Sequence, residues 1–254
     1  MSAIDLRAGR WQDVLADVEM VDAVITDPPY SPRTHDGYRT ATDFGDLPVA
    51  FEHAKKKREP GGSRVGMPRG RFELQYAPLE RSTVVEAVAT LKPRKWWVVF
   101  GDHESSRWWA DELDAAGYLV FAPVVWVRLG SAPRFMADGP ANSCEWITVA
   151  RPRKLPETRA SRPGHYLHSI HGEKVVTGGK PLELMRWIIR DYSDPGDLIL
   201  EPFAGGATTL IAAAIEGRRA IGAEMDQKTY ALAQKRIAAG YTPMLPFEQK
   251  AGVI

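Results

Sequence analysis

The tetrapeptide Asp27-Pro28-Pro29-Tyr30 directly follows a short β-branched run, residues 21–26. Two successive prolines cannot continue a central strand, so the strand stops there and the turn is stiff. A carboxylate beside a fixed carbonyl suits one chemical task. The amino group of a nucleobase is a poor nucleophile, because its lone pair is delocalised into the ring. Asp27 and the carbonyl of Pro28 can accept its two hydrogens and favour a pyramidal nitrogen. Preorganised acceptors are the main catalytic device open to such a site. Tyr30 would stack on the base, which must leave the duplex to reach the turn. The bland alternative is a Pro-Pro turn with a surface tyrosine, since so short a motif also arises by chance.

A second constellation is Phe203-Ala204-Gly205-Gly206-Ala207-Thr208, near the other end of the sequence. Its small residues let a ligand approach the backbone closely. The helix that follows offers unpaired N–H groups at its start. Glu224 closes the next expected strand, where a carboxylate can accept hydrogen bonds from two ribose hydroxyls. A glycine-rich turn without a ligand is the competing reading, and Glu224 ranks it lower. The loop is not GxGxxG, which disfavours NAD, and no Gly-Lys-Ser/Thr follows, so a phosphate-cradling P-loop is absent.

The elements that must position these residues follow from local pattern. Residues 96–100 and 198–200 read as strands, as do 118–127, 145–150 and 220–223. Residues 83–91, 105–116 and 208–216 read as helices. Pro181 opens a further helix to Tyr192, with Leu182, Met185, Ile188, Ile189 and Tyr192 as its apolar face. Asp226 caps a last helix to about residue 239. Strands 118–127 and 145–150 resemble the antiparallel end of an α/β sheet. The expected organisation is a single domain over 1–254. It has a basic insertion at 31–80, too long for a simple connection. A short polar segment spans 151–177, and 178–240 forms the cofactor-binding half.

The two motifs together resemble the amino-methylating DNA methyltransferases, which pair an Asp/Asn/Ser-Pro-Pro-aromatic signature with a Phe-x-Gly-x-Gly cofactor loop. With the catalytic motif first, the order is similar to the β-type arrangement of that family. The resemblance implies an α/β, doubly wound, Rossmann-like methyltransferase sheet with an antiparallel strand at one end, circularly permuted. It implies S-adenosylmethionine as cofactor, held by Phe203 to Thr208, Glu201 and Glu224. Lys180 and Pro181 would lie near its methionine end and Met225 beside its adenine ring. Asp27 rather than serine favours N6 of adenine over N4 of cytosine. Three residues depart from the family pattern. Ala207 replaces a glycine, Glu201 replaces an aspartate, and Arg10 follows Gly9 where relatives carry an aspartate facing the cofactor adenine. Asp13 is the candidate substitute.

Bulk properties set the remaining bounds. The formal charge of +1 does not advertise a nucleic-acid partner, but its distribution does. One basic stretch runs from Lys55 to Arg71, and another carries Arg151, Arg153, Lys154, Arg159, Arg162 and Lys174. Either alone reads as a solvated loop. Beside the two motifs they read as contacts for the phosphate backbone of double-stranded DNA. Segment 151–177 then falls where the family keeps target recognition, and its brevity suggests a short target or help from a second subunit. No apolar run approaches the roughly 20 residues of a membrane span, and a signal-peptide pattern is lacking, which points to the cytoplasm. The lone Cys144 lacks the Pro-Cys context of carbon-5 cytosine methylation. His165, His168 and His171 recur every third residue but lack the partners of a metal site. Arg33 and His35 follow the catalytic turn and fit either a base contact or a plain surface loop. Two further readings stand: a nicotinamide-dependent oxidoreductase, which gives Asp27 to Tyr30 no role, and an inactive DNA-binding protein on the same scaffold.

Overall fold

The computed structural model describes residues 3–34, 76–130, 142–154, 161–169 and 179–240. Most of the 31–80 insertion, with the basic run from Lys55 to Arg71, lies outside the described residues, as do His35, Arg159, His171 and Lys174.

The strands among the described residues are β1 (Ile4–Ala8), β2 (Ala23–Thr26), β3 (Trp96–Gly101), β4 (Tyr118–Val120), β5 (Val124–Leu129), β6 (Cys144–Pro152), β7 (His165–Ser169), β8 (Leu198–Glu201) and β9 (Arg219–Glu224). The helices are α1 (Trp11–Val14), α2 (Arg81–Thr90), α3 (Ser105–Ala115), α4 (Leu182–Tyr192), α5 (Thr208–Ile215) and α6 (Gln227–Ala238). The strands form one sheet in the order β1-β9-β8-β2-β3-β6-β5-β7, with β4 also paired to β6. From β1 to β3 every pairing is parallel. β6 runs antiparallel to β3, β4 and β5, the antiparallel end expected from the sequence.

Alternation along the central strands explains the layers. Trp96, Val98 and Phe100 of β3 face one side with Leu184, Met185, Ile188 and Ile189 of α4. Trp97 and Val99 face the other with Val84 of α2 and Trp109 and Leu113 of α3. A strand buried on both faces needs apolar residues at every position, which is what the run from Trp96 to Phe100 supplies.

This topology makes the site rim. The parallel strands β2, β3, β8, β9 and β1 all end on one edge of the sheet, placing Asp27, Asp102, Phe203, Met225 and Gly9 there. β6 runs the other way, so its beginning meets the same edge: Gly101 pairs with Trp146. β5 is antiparallel to β6, and its far end returns there, pairing Trp126 with Glu145.

Three expectations change. The run 118–127 is two strands, because Phe121-Ala122-Pro123 interrupts it and proline cannot donate to a ladder. The N-terminal segment, left unassigned above, forms β1 and pairs with β9; its alternation Ile4-Asp5-Leu6-Arg7-Ala8 suits an edge strand. Segment 151–177 is not wholly an irregular loop. Arg151 and Pro152 extend β6, and His165–Ser169 pairs in parallel with β5. Tyr166, buried, anchors that strand by donating to Asp191 Oδ2 at 2.6 Å. Of the segment, 155–160 and 170–178 lie outside the described residues.

Candidate active site

Asp27 leaves the carboxyl end of β2 with its side chain mostly enclosed. Lys180 Nζ donates to its Oδ2 at 2.5 Å and lies 3.3 Å from Glu145 Oε2. The Tyr30 hydroxyl donates to that same Glu145 oxygen at 2.5 Å, and Arg128 pairs with Oε1 at 3.3 Å. The ammonium of Lys180 also sits 5.2 Å from the centre of the Tyr30 ring and 5.1 Å from that of Phe100. Five side chains from four stretches of chain thus form one polar cluster. Within it, Asp27 Oδ1 is buried and has no hydrogen-bond partner. A buried carboxylate oxygen left open is costly unless something else fills it.

The charges follow from these contacts. Burial lifts Asp27 and Lys180 pulls it down, while Glu145 lifts it again; the carboxyl ends at about 6. Burial alone would lower the Lys180 ammonium, but Asp27 and Glu145 outweigh it and hold it above its usual value. Burial and the neighbouring anions keep the Tyr30 phenol protonated, hence a donor.

The catalytic turn is braced from beneath. Asp102 Oδ2 accepts from the Ser31 amide at 3.0 Å and the Ser31 hydroxyl at 2.6 Å, and also from the Thr34 hydroxyl. Its Oδ1 accepts from the amides of Glu104 and Ser105, at 3.1 and 2.7 Å. Beyond the turn, the Leu79 amide donates to the Tyr30 carbonyl at 2.9 Å. Pro28 is buried and Pro29 half-buried.

The glycine-rich loop joins β8 to α5 across the same rim. Glu201 is 1% exposed, and its carboxylate binds protein on both oxygens. Oε1 accepts from the Thr26 hydroxyl and from the Phe203 amide, the latter at 3.1 Å; Oε2 accepts from the Thr209 hydroxyl at 2.9 Å. It therefore knots β2, the loop and α5 together beneath the surface, and connects the residue before Asp27 to the residue that opens the loop. Burial pushes it up to about 8, against its three hydrogen bonds. Ala204 donates to the Ala223 carbonyl at 2.8 Å, and Gly205, with φ +50°, donates to Glu224 Oε2 at 2.8 Å. Arg236 of α6 holds the Gly206 carbonyl and the Thr208 hydroxyl, both at 2.8 Å.

Ala207 caps α5 with φ +62° and ψ +26° and is fully buried. It is the one non-glycine residue with positive φ among the described residues. The backbone keeps the left-handed turn that a glycine would adopt freely, and alanine bears the steric cost of roughly 1–2 kcal/mol.

Glu224 stands at the end of β9. Its Oε1 accepts from the Asp226 amide at 2.7 Å, and burial lifts its carboxyl above the usual range. Met225 beside it is 68% exposed, so it is not a core residue. Gly9 donates to the Glu224 carbonyl at 2.9 Å, which brings the end of β1 to the same corner. Arg10 there is exposed and precedes α1 as its N-cap; Asp13 is exposed in the first turn of that helix. Lys180 and Pro181 are buried between the two half-sites, and Pro181 caps α4.

The structure thus brings Asp27, Tyr30, Lys180, Phe203 and Glu224 to one rim. It assigns Lys180 a direct ion pair with Asp27, which the motif reading did not foresee. Glu145, Arg128 and Asp102 were missed. Asp102 stands just past a buried strand, a position that itself could have flagged it. Glu145 carried no such signal, since its strand runs the other way. His165 and His168 lie on β7, and the described residues hold no cluster of three metal-binding side chains. None of the described helices is long and apolar enough to cross a membrane.

The family model described as DNA methylase matches residues 21–235. A putative methylase of Escherichia coli K12, YubD, is 37% identical over 219 residues, covering 86% of this chain and 82% of its own. Among solved structures, the M1.HpyAVI complex with S-adenosylmethionine superposes with a TM-score of 0.64 at 22% identity, covering 92% of this chain and 98% of that one. The cytosine-N4-specific PvuII DNA methyltransferase superposes with a TM-score of 0.60 at 17% identity, covering 93% and 86%.

Proposed function

The chain belongs to the DNA methylase family, and from that premise we propose that it methylates N6 of adenine in double-stranded DNA, on a base turned out of the helix, with S-adenosylmethionine as cofactor. One observation carries the reading: a buried carboxylate oxygen, Asp27 Oδ1, has no partner and sits at the rim that holds the glycine-rich loop and Glu224. The residues fit the cofactor. Glu224 faces the corner beside the loop, Met225 offers an apolar side chain the core does not use, and Gly205 leaves space beside the backbone, since a Cβ there would meet nothing nearer than the Phe203 carbonyl at 4.0 Å. Phe203, Ala204, Gly205, Gly206, Ala207 and Thr208 would line it, with Pro181 at its flank and Glu201 fixing the loop from below. When bound, the cofactor supplies an electrophilic methyl group on a sulfonium centre.

The chain's own residues prepare the nucleophile. Asp27 Oδ1 accepts one hydrogen of the adenine amino group and the Pro28 carbonyl accepts the other, which localises the nitrogen lone pair. Tyr30 stacks on the base, its hydroxyl fixed by Glu145. After transfer the nitrogen must lose a proton, and Asp27 Oδ1 is the adjacent acceptor. Aspartate at position 27 supports adenine over cytosine.

The test is incubation with mixed-sequence DNA and S-adenosylmethionine, digestion to nucleosides and identification of the modified base. N6-methyladenine is expected. N4-methylcytosine would overturn the choice of base, and no modified base would overturn the activity.

A further inference from the structure

The two anions of the polar cluster share one cation. Lys180 Nζ lies 2.5 Å from Asp27 Oδ2 and 3.3 Å from Glu145 Oε2, and the lysine side chain is 5% exposed. A buried ammonium is tolerated only when paired, and a buried carboxylate likewise. The pairing is asymmetric: it fills Oδ2 and leaves the buried Oδ1 without a hydrogen-bond partner. Glu145, itself held by Tyr30 and Arg128, is the second anion on the ammonium.

We propose that Lys180 is a positioning residue for the catalytic carboxylate: by clamping Asp27 Oδ2 against Glu145 it keeps Asp27 ionised and turns Oδ1 alone toward the amino group of the base. The proposal rests on the reading of Asp27 given above. It moves Lys180 from the cofactor to the carboxylate that activates the substrate. The other groups facing Asp27 are accounted for. Glu201 of β8 lies behind Thr26 and, raised to about 8 by burial, is protonated where Asp27 titrates; Tyr30 is a neutral donor, and Arg128 of β5 acts through Glu145. Asp102, just past β3, is occupied beneath Ser31. Lys180 is the one cation that an ion pair places directly on Asp27 among the described residues.

The test follows Asp27 by the NMR resonance of its 13C-labelled side-chain carboxyl, assigned with Asp27→Asn. Removing the ammonium in Lys180→Met should raise its titration midpoint by roughly one to three pH units, the usual effect of an adjacent opposite charge. Glu145→Gln should lower it, because Glu145 repels the ionised form. Single-turnover methylation should lose its acid limb at correspondingly higher pH in Lys180→Met, and Lys180→Arg should restore part of both. Affinity for S-adenosylmethionine, measured by calorimetry, should change less than about threefold, well under 1.4 kcal/mol. An unmoved Asp27 titration in Lys180→Met overturns the proposal. So does a loss of more than about tenfold in cofactor affinity with an unshifted acid limb. If Lys180→Met does not fold, Glu145→Gln decides: a midpoint that fails to fall overturns it. Should the unaltered protein methylate no DNA, the functional reading fails while the titration still judges the clamp.

Discussion

Lys180 and Asp27, 153 residues apart in the chain, meet as a buried ion pair with Nζ 2.5 Å from Oδ2. The pair joins the two halves of the site, because Lys180 leads into α4 beside the glycine-rich loop while Asp27 leaves β2. It also sets the acid–base behaviour of the catalytic turn.

Asp27→Asn keeps the shape of the turn and removes its charge. Methyl transfer should fall by about 10²–10³-fold, the usual loss when one preorganised electrostatic partner is removed. Single-turnover transfer of radiolabelled methyl to DNA reads the rate, and calorimetry should find cofactor affinity nearly unchanged. A variant that retains most of the rate would remove Asp27 from the mechanism.

The pH dependence follows from the same group. Burial raises Asp27 to about 6. Its folded value lies above its unfolded one, so the acceptor is ionised above about 6 and protonated as pH falls through that point. The transfer rate should be level near neutrality and decline on the acid side with a midpoint near 6. A rate that holds steady well below that midpoint would contradict the assignment.

Glu201 gives a stability test with a defined sign. Its carboxyl is raised from 4.5 to about 8 by burial. The unfolded chain ionises first, so stability from the protonated group is fully present below 4.5 and is lost as pH rises through about 8. The slope is at most about 1.4 kcal/mol per pH unit. Glu201→Gln cannot titrate. Urea unfolding across that range should show the advantage of the unaltered protein shrinking as pH rises. Parallel profiles would mean that Glu201 is not perturbed.

Ala207 predicts an unusual tolerance. Replacing a buried alanine by glycine normally loses about 0.8 kcal/mol of burial and some backbone entropy. At Ala207 relief of the left-handed conformation offsets this, so Ala207→Gly should be neutral within about 1 kcal/mol. Ala213→Gly, equally buried but inside α5, should cost about 2 kcal/mol from the same methyl and helix propensity. Ala207→Val should cost more than either, because a β-branched residue resists positive φ. Thermal unfolding of the three variants reads the order, and an Ala207→Gly loss as large as that of Ala213→Gly would sink it.

Glu224→Gln removes a charged acceptor from the proposed ribose site. Cofactor affinity should weaken by about 10–100-fold, since hydrogen bonds to charged groups contribute about 1.5–3 kcal/mol. Calorimetry with S-adenosylmethionine measures it, and unchanged binding would place the ribose elsewhere.

The two motifs, and the strand ends that carry them, were legible in the sequence because their signals are local. A Pro-Pro turn stops a strand whatever surrounds it. The apolar stripe of α4, the fully buried run from Trp96 to Phe100 and the strand over 145–150 follow from local pattern alone. So did the question at position 207, although only the backbone answered that alanine adopts the left-handed turn there. What the sequence could not hold is which strands neighbour each other and which way they run. Sheet order brings β8 beside β2, and so lets Glu201 tie Thr26 to Phe203. The reversal of β6 brings Glu145 to the rim and turns Tyr30, Lys180 and Arg128 toward one carboxylate. Pairing with β5 draws His165–Ser169 into the sheet, where their polar composition argued for a loop. Met225, expected beside the cofactor adenine, is exposed because the chain has already left the sheet. Side-chain chemistry is written residue by residue, whereas a shared proton or a buried ion pair exists only between groups that pairing across the sheet has brought within a few ångströms.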